Sequence, residues 1–366
     1  MCPSVPRMPH VLCMLRILLI LAAVGLLAGC DTLAYYTQAV GGQFELIARR
    51  RPLEALLEDP ATAADLRARL ESARAIRIYA SQELGLPDNG SYRSYAALDR
   101  PYVVWTVFAA QEFSTRALES CFPVTGCVSY RGFFGEADAQ HYAAGLRAAG
   151  NDVRVSGVPA YSTLGWFDDP LLSSFIRYPE AELARLLFHE LAHHVVYVKG
   201  DTAFNESFAV AVERAGVHRW LAANKRHADF AVFLAARARQ AEFIALIETA
   251  KARLEGIYAG SSSLSDIDAR RAQKRAGFEA LQRDYAAMKL RWGGFAGYDR
   301  ILGSEPNNAL LVSVTAYSKF VPGFERLLFE SGGDLARFYA AVKRIAALPA
   351  RERERCLDIS IRSAAC

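Results

Sequence analysis

The chain has 366 residues, 52% of them hydrophobic and 22% charged, enough to bury one large core or two small ones. Its 43 basic and 39 acidic residues leave a net charge of +4. So near-neutral a balance offers no electrostatic reason to expect a nucleic-acid partner.

Arg7 and Arg16 flank the start of an apolar run from Ile17 to Ala28. The run is too short for a comfortable membrane span and suits a signal-peptide core, the other possibility being an uncleaved N-terminal anchor. It ends in Leu27-Ala28-Gly29-Cys30, which resembles a bacterial lipobox. That resemblance implies a signal peptide over residues 1–29, a mature chain 30–366 and a lipid on Cys30. The protein would then sit on the periplasmic face of a bacterial membrane. Asp31 resembles the signal that keeps some lipoproteins at the inner membrane. Arg49-Arg50-Arg51 could touch anionic headgroups or simply be a solvated helix end.

Residues 31–60 and 61–84 read as helices, the second with Leu66, Leu70, Ala73 and Ile76 partly periodic. Pro87-Asp88-Asn89-Gly90 breaks the pattern. Strands are expected over 102–110, 127–134 and 152–158, with a short helix over 137–149. A loop, Tyr161 to Pro170, carries aromatic and acidic residues that could line a cleft or pack as ordinary loop side chains. Of seven cysteines, Cys2, Cys13 and Cys30 belong to the leader and its end. The other four form two near pairs, Cys121 with Cys127 and Cys356 with Cys366. In an oxidising compartment these suggest two local disulfides, the alternative being buried thiols.

Pro179, Glu180 and Glu182 mark a helix start, and the spacing predicts a helix to Val198. Leu183, Leu186, Leu187, Leu191 and Val195 form its apolar face. On it lies His189-Glu190-Leu191-Ala192-His193, an HExxH run. Histidines four apart share one helix face and can aim ring nitrogens at one Zn2+ ion, while Glu190 can take a proton from water. After the turn Lys199-Gly200-Asp201, a second helix is expected from Thr202 to about Leu221. Glu206 in its first turn is either a third metal ligand or a surface carboxylate suited to a helix N-terminus. Glu213, two turns on, could accept the second N–H of a zinc histidine or pair with Arg214 or Arg219. His194 points about 100° away from His193 and reads as a hydrogen-bonded partner. Val196 and Lys199 stand where a metzincin wants Gly and His.

His-Glu-Leu-Ala-His followed by Asn205-Glu206-Ser207-Phe208-Ala209 resembles the HExxH…NExxA pattern of the gluzincins, the glutamate-ligand zinc peptidases. The stretch from Tyr161 to Trp220 resembles a family of bacterial lipoproteins described as putative aminopeptidases. The resemblance implies an α+β, predominantly helical fold with a thermolysin-like zincin core: a small sheet, the HExxH helix and the glutamate helix. It implies zinc on His189, His193 and Glu206, Glu190 as general base, and a peptide substrate held by the strand near 152–162. It also implies an oxyanion donor late in the chain. Tyr317 is the candidate, set against a core tyrosine, with Tyr130 and Arg131 as further substrate-binding candidates. Two features depart from the aminopeptidase-N branch. The gap from His193 to Glu206 is shorter, and no GAMEN-like element is present to hold a free amine.

Residues 222–258 and 264–291 read as an antiparallel helical hairpin inserted in the metallopeptidase domain. Helices are expected again over 309–320 and 333–347. The competing class is a non-catalytic envelope lipoprotein, a scaffold or binding module using that hairpin as its surface.

Overall fold

The apolar run after Tyr102 becomes the strand on which the β part of the protein is built. A computed structural model describes residues 33–122, 126–260, 267–303, 305–315 and 319–358. The expected leader, Cys30, Asp31, Tyr317 and Cys366 lie outside these residues. The fold is α+β and mostly helical. Its strands are β1 (Arg51–Pro52), β2 (Ser94–Ala96), β3 (Val104–Gln111), β4 (Ser120–Phe122), β5 (Gly126–Val128), β6 (Arg131–Phe133), β7 (Asn151–Val158) and β8 (Leu171–Leu172). The helices before the HExxH run are α1 (33–49), α2 (Leu53–Glu58), α3 (Ala64–Gln82) and α4 (Glu136–Ala148). Next come α5 (Glu180–Ala192), α6 (Thr202–Ala223), α7 (His227–Gly260) and α8 (Ile267–Arg291). Last are α9 (Asp299–Leu302), α10 (Asn308–Thr315), α11 (Val321–Glu330), α12 (Leu335–Ala346) and α13 (Ala350–Leu357). No described helix is long and apolar enough to cross a membrane.

Strand β3 is buried at every position but its last, because both faces are covered. Trp105, Val107 and Ala109 meet Ala139 and Ala143 of α4, while Phe108 and Ala110 meet Ala309 and Val312 of α10. A strand covered on both sides loses the apolar–polar alternation of a half-exposed one. β3 pairs antiparallel with β6 and β7 in the order β6-β3-β7. The expected single strand over 127–134 is corrected to two. β5 pairs with β4 in a hairpin closed by the Cys121–Cys127 disulfide, and β6 joins β3 instead. A chain that changes partners must break its ladder, and it does so at Ser129-Tyr130. The expected helix 31–60 is likewise interrupted, since Arg51-Pro52 pairs with β2.

The main core gathers α3, α5, α6, α11 and α12. Leu183, Leu187, Phe188 and Leu191 of α5 are fully buried, each contributing about 1.5–3 kcal/mol of apolar burial. Gly216 lets α6 approach α5 closely, since a Cβ there would lie 2.7 Å from the Phe188 ring. Helices α7 and α8 pack along one another around a second cluster that includes Phe243, Ile247, Leu254, Phe278 and Leu281. Beyond α10 the chain forms α11 and α13, neither expected from the sequence.

Candidate metal centre

The HExxH helix ends earlier than its periodicity suggests. α5 stops at Ala192, with His193 as its C-cap, and the next turns close by i→i−3 bonds from His194 and Val195. Side chains from other segments hold the turns that follow. Asn205 of α6 accepts from Val198 N–H (2.7 Å) and donates to its carbonyl (2.8 Å). His194 is held between Asn89 (3.0 Å) and Ser162 (3.0 Å). Asn205 thus latches the inter-helix turn to the first turn of α6, where Asp201 also caps the Phe204 N–H at 3.1 Å. A short, pinned connection sets Glu206 opposite the histidines.

His189, His193 and Glu206 converge, each offering one ligand atom within 4.8 Å of the others. His189 Nε2 lies 3.3 Å from Glu206 Oε2, and His193 Nε2 lies 3.9 Å from Glu206 Oε1. The imidazoles stand nearly perpendicular, with centroids 5.0 Å apart. Tetrahedral zinc with bonds of about 2.0–2.1 Å spaces its ligand atoms by about 3.3 Å, so the donors need little movement to take it. Among the described residues the group has three members.

The back of His189 is also built. Its Nδ1 meets Glu213 Oε2 at 3.0 Å, and the same oxygen accepts from Arg185 at 3.0 Å. Arg237 lies 3.8 Å from the other oxygen. Both arginines also reach Glu182. Burial would raise the Glu213 pKa, but Arg185, His189 and Arg237 hold it down to about 2. A permanent carboxylate on Nδ1 fixes the tautomer that leaves Nε2 free to ligate. Burial alone would pull His189 down. Hydrogen bonds to Glu206 and Glu213 instead push it up to about 10, so it gives up a proton when it takes a cation. Burial pushes His193 down to about 4, and its Nδ1 is buried with no hydrogen-bond partner. That ring stays neutral and keeps a free electron pair. Two imidazoles, one with an orphaned ring nitrogen, and a carboxylate fit a divalent metal.

Glu190 is half-buried in α5 next to His189, and its side chain makes no ion pair among the described residues. Burial, with Glu206 and Asp169 nearby, raises its pKa to about 7 against the pull of His189. Tyr130 and Tyr197 share the field of Glu206, and burial followed by that charge keeps both phenols protonated well above neutral pH. Arg131, a further candidate from the sequence, stacks on aromatic rings. Its guanidinium lies over the rings of Tyr35 (4.0 Å) and Tyr142 (4.8 Å). Strand β7 is an edge strand, yet Asn307 donates to its Val153 carbonyl.

A family model described as "Putative aminopeptidase" matches residues 34–357. The chain belongs to that family. No curated protein and no solved structure matches it. The matched span takes in both helices of the cluster and every described helix from α2 to α13.

Several participants were not singled out by the sequence, although Ser162, Thr163 and Asp169 lie in the loop from Tyr161 to Pro170. Asn89, Ser162, Thr163 and Asp169 form a network behind the cluster. Thr163 donates from both N–H and hydroxyl to Asp169 (2.9 and 2.8 Å), whose burial lifts its pKa to about 6. Tyr92 is buried at φ 63°, its hydroxyl unpartnered, and it feels the charge of Glu190. Arg185 could have been found, since it lies one helical turn before His189.

Proposed function

We propose that this member of the family is a zinc-dependent peptidase, acting as an aminopeptidase. The observation that carries the reading is the convergence of His189, His193 and Glu206, with Glu213 behind His189 and Glu190 left unpaired. On this reading α5, α6 and the β6-β3-β7 sheet serve as a thermolysin-like zincin core. His189 Nε2, His193 and Glu206 would hold the ion. When bound, zinc supplies a Lewis acid that polarises a peptide carbonyl and acidifies a water at neutral pH.

The chain's own residues do the rest. Glu190 accepts a proton from the attacking water at its carboxylate and passes it to the leaving amine. Its raised pKa suits it to both roles. Glu213 keeps His189 in the ligating tautomer. A protonated tyrosine steadies the developing oxyanion. Tyr317 is proposed for this from the sequence, with Tyr130 as the alternative because its phenol lies in the field of Glu206 and Glu190.

The same reading keeps the protein on the periplasmic face of a bacterial membrane, anchored by a lipid on Cys30. An exposed apolar stripe along α1 supports it. Leu33, Tyr36, Val40 and Phe44 recur at helical spacing and are 69%, 37%, 52% and 65% exposed. A stripe so close to a lipidated cysteine would rest on the bilayer surface.

The test is Glu190→Gln. Bound zinc should stay at one equivalent while hydrolysis of a mixed peptide library falls at least about a hundredfold, the low end for a general base. A fully active variant would sink the mechanism. Comparing peptides with free and blocked N-termini then tests the aminopeptidase assignment.

A further inference from the structure

Resting on the peptidase reading, we propose that the cleft beside the metal centre binds a carboxylate of the substrate peptide. The cleft has a volume of about 600 Å³. Its walls come from six separate parts of the chain: the segment Thr115 to Glu119, the Ser129 bend, the first turn of α6, α7, α10 and Lys319. Ala203 lines it, one turn before Glu206 and about 4.5 Å along the helix axis from it. Ser129 lines it too, next in sequence to Tyr130, which lies in the field of Glu206. A peptide reaching the metal cluster and extended at about 3.3 Å per residue would enter this cleft within two or three residues.

Its charge is one-sided. Arg116, Lys251 and Lys319 line the cleft against a single acid, Glu119. Lys319 is committed to Glu354 at 2.7 Å. Arg116 and Lys251 make no ion pair among the described residues. Two cations free of ion pairs, lining one cleft together with apolar Leu118 and Val312, match a short peptide bearing one negative group. That group is either the C-terminal carboxylate of a small peptide or an Asp or Glu side chain near the scissile bond. Either source has the same chemistry, and neither depends on which residues hold the metal.

The experiment measures binding as well as turnover. The zinc-loaded mature chain carrying Glu190→Gln is titrated calorimetrically with three peptides: Ala-Ala-Ala acid, Ala-Ala-Ala amide and Ala-Ala-Glu amide. The acid should bind about five times more tightly than the amide, the worth of one partly exposed charge pair. Tight binding of the third peptide assigns the site to side-chain carboxylates, and weak binding assigns it to the terminus. Adding Arg116→Gln and Lys251→Gln together should bring acid and amide within about twofold, while Lys251→Arg should retain the preference. Both replaced side chains line the cleft, and an unchanged unfolding midpoint verifies the fold. The preference should also persist after zinc is removed by a chelator. Equal affinities for acid and amide would overturn the proposal. So would a preference that survives the double substitution, or one that disappears with the metal, since the carboxylate would then sit elsewhere or on the ion itself. If the unsubstituted protein cleaves no peptide yet shows the preference, the peptidase reading fails while the carboxylate site stands.

Discussion

Glu213→Gln tests the buried charge network directly. The side chain is 2% exposed and meets His189 and Arg185 at 3.0 Å each and Arg237 at 3.8 Å. The amide keeps the shape and one acceptor but removes the charge. Two consequences follow from the distances. First, Arg185 and Arg237, 26% and 18% exposed, lose a buried counter-charge. Breaking such a pair costs about 3–5 kcal/mol. Both arginines still reach Glu182, at 2.7 and 3.3 Å, so about 3 kcal/mol is expected. Second, the carboxylate behind a zinc histidine is worth about 10- to 100-fold in metal affinity. Losing it also frees His189 of part of the charge that holds its proton, which eases metal entry and opposes the loss. The net fall should therefore sit near tenfold. Zinc titration against a chromophoric chelator and urea unfolding of the chelated protein read the two effects separately. Glu206→Ala, which removes a donor, should lose more zinc than Glu213→Gln. If Glu206→Ala keeps full affinity while Glu213→Gln loses it, the third ligand has been misassigned. If Glu213→Gln changes neither zinc affinity nor stability, the network argument is wrong.

Zinc binding at pH 6, below the range where a zinc-bound water ionises, should release about one proton, because His189 is pushed up to about 10 and must be neutral to ligate, whereas His193, pushed down to about 4, is already neutral. The sign follows from the raised pKa: protonated His189 stabilises the cation-free fold fully below about pH 6.5, its unfolded value, and that contribution is lost as pH rises through about 10. Calorimetry in two buffers of different ionisation enthalpy counts the proton, and a count of zero would refute the assignment of His189 as held by two carboxylates. Tyr92→Phe should stabilise the protein by about 1 kcal/mol, since an unpartnered buried hydroxyl carries a desolvation cost. A lower unfolding midpoint would mean that this hydroxyl is bonded. Replacing Cys121 and Cys127 together by serine should cost about 2 kcal/mol, the loop-entropy value for a bridge between residues six apart. An unchanged denaturation curve under oxidising conditions would show that the bridge does not constrain the unfolded chain. The second pair stands differently: Cys356 is disulfide-bonded, and Cys366, the partner expected from the sequence, lies outside the described residues.

What the sequence determined by itself is the local geometry of the centre. Two histidines four apart share a helix face whatever surrounds the helix, and the apolar residues between them fix which side of α5 is buried. A short gap before Glu206 limits how far the second helix can stray. The positions of β3, β7, α4 and α6 followed for the same reason, because periodicity and turn residues act over a few neighbours. Tertiary structure alone decided the rest. The turns that follow α5 are held by Asn205, which bonds both backbone groups of Val198, and by Asn89 and Ser162, which hold the His194 ring; the periodicity of α5 contains none of these contacts. Glu213 faces His189 rather than Arg214 or Arg219 because α5 and α6 pack closely enough at Gly216 and Phe188 to bring their charged sides together. The stretch from Gly126 to Phe133 splits because its two halves find different strands. The basic cleft is assembled from residues as far apart as Arg116 and Lys319. A periodic pattern records that a face is buried, but not what it is buried against. Hydrogen bonds and charge pairs between distant segments exist only once the cores have been packed.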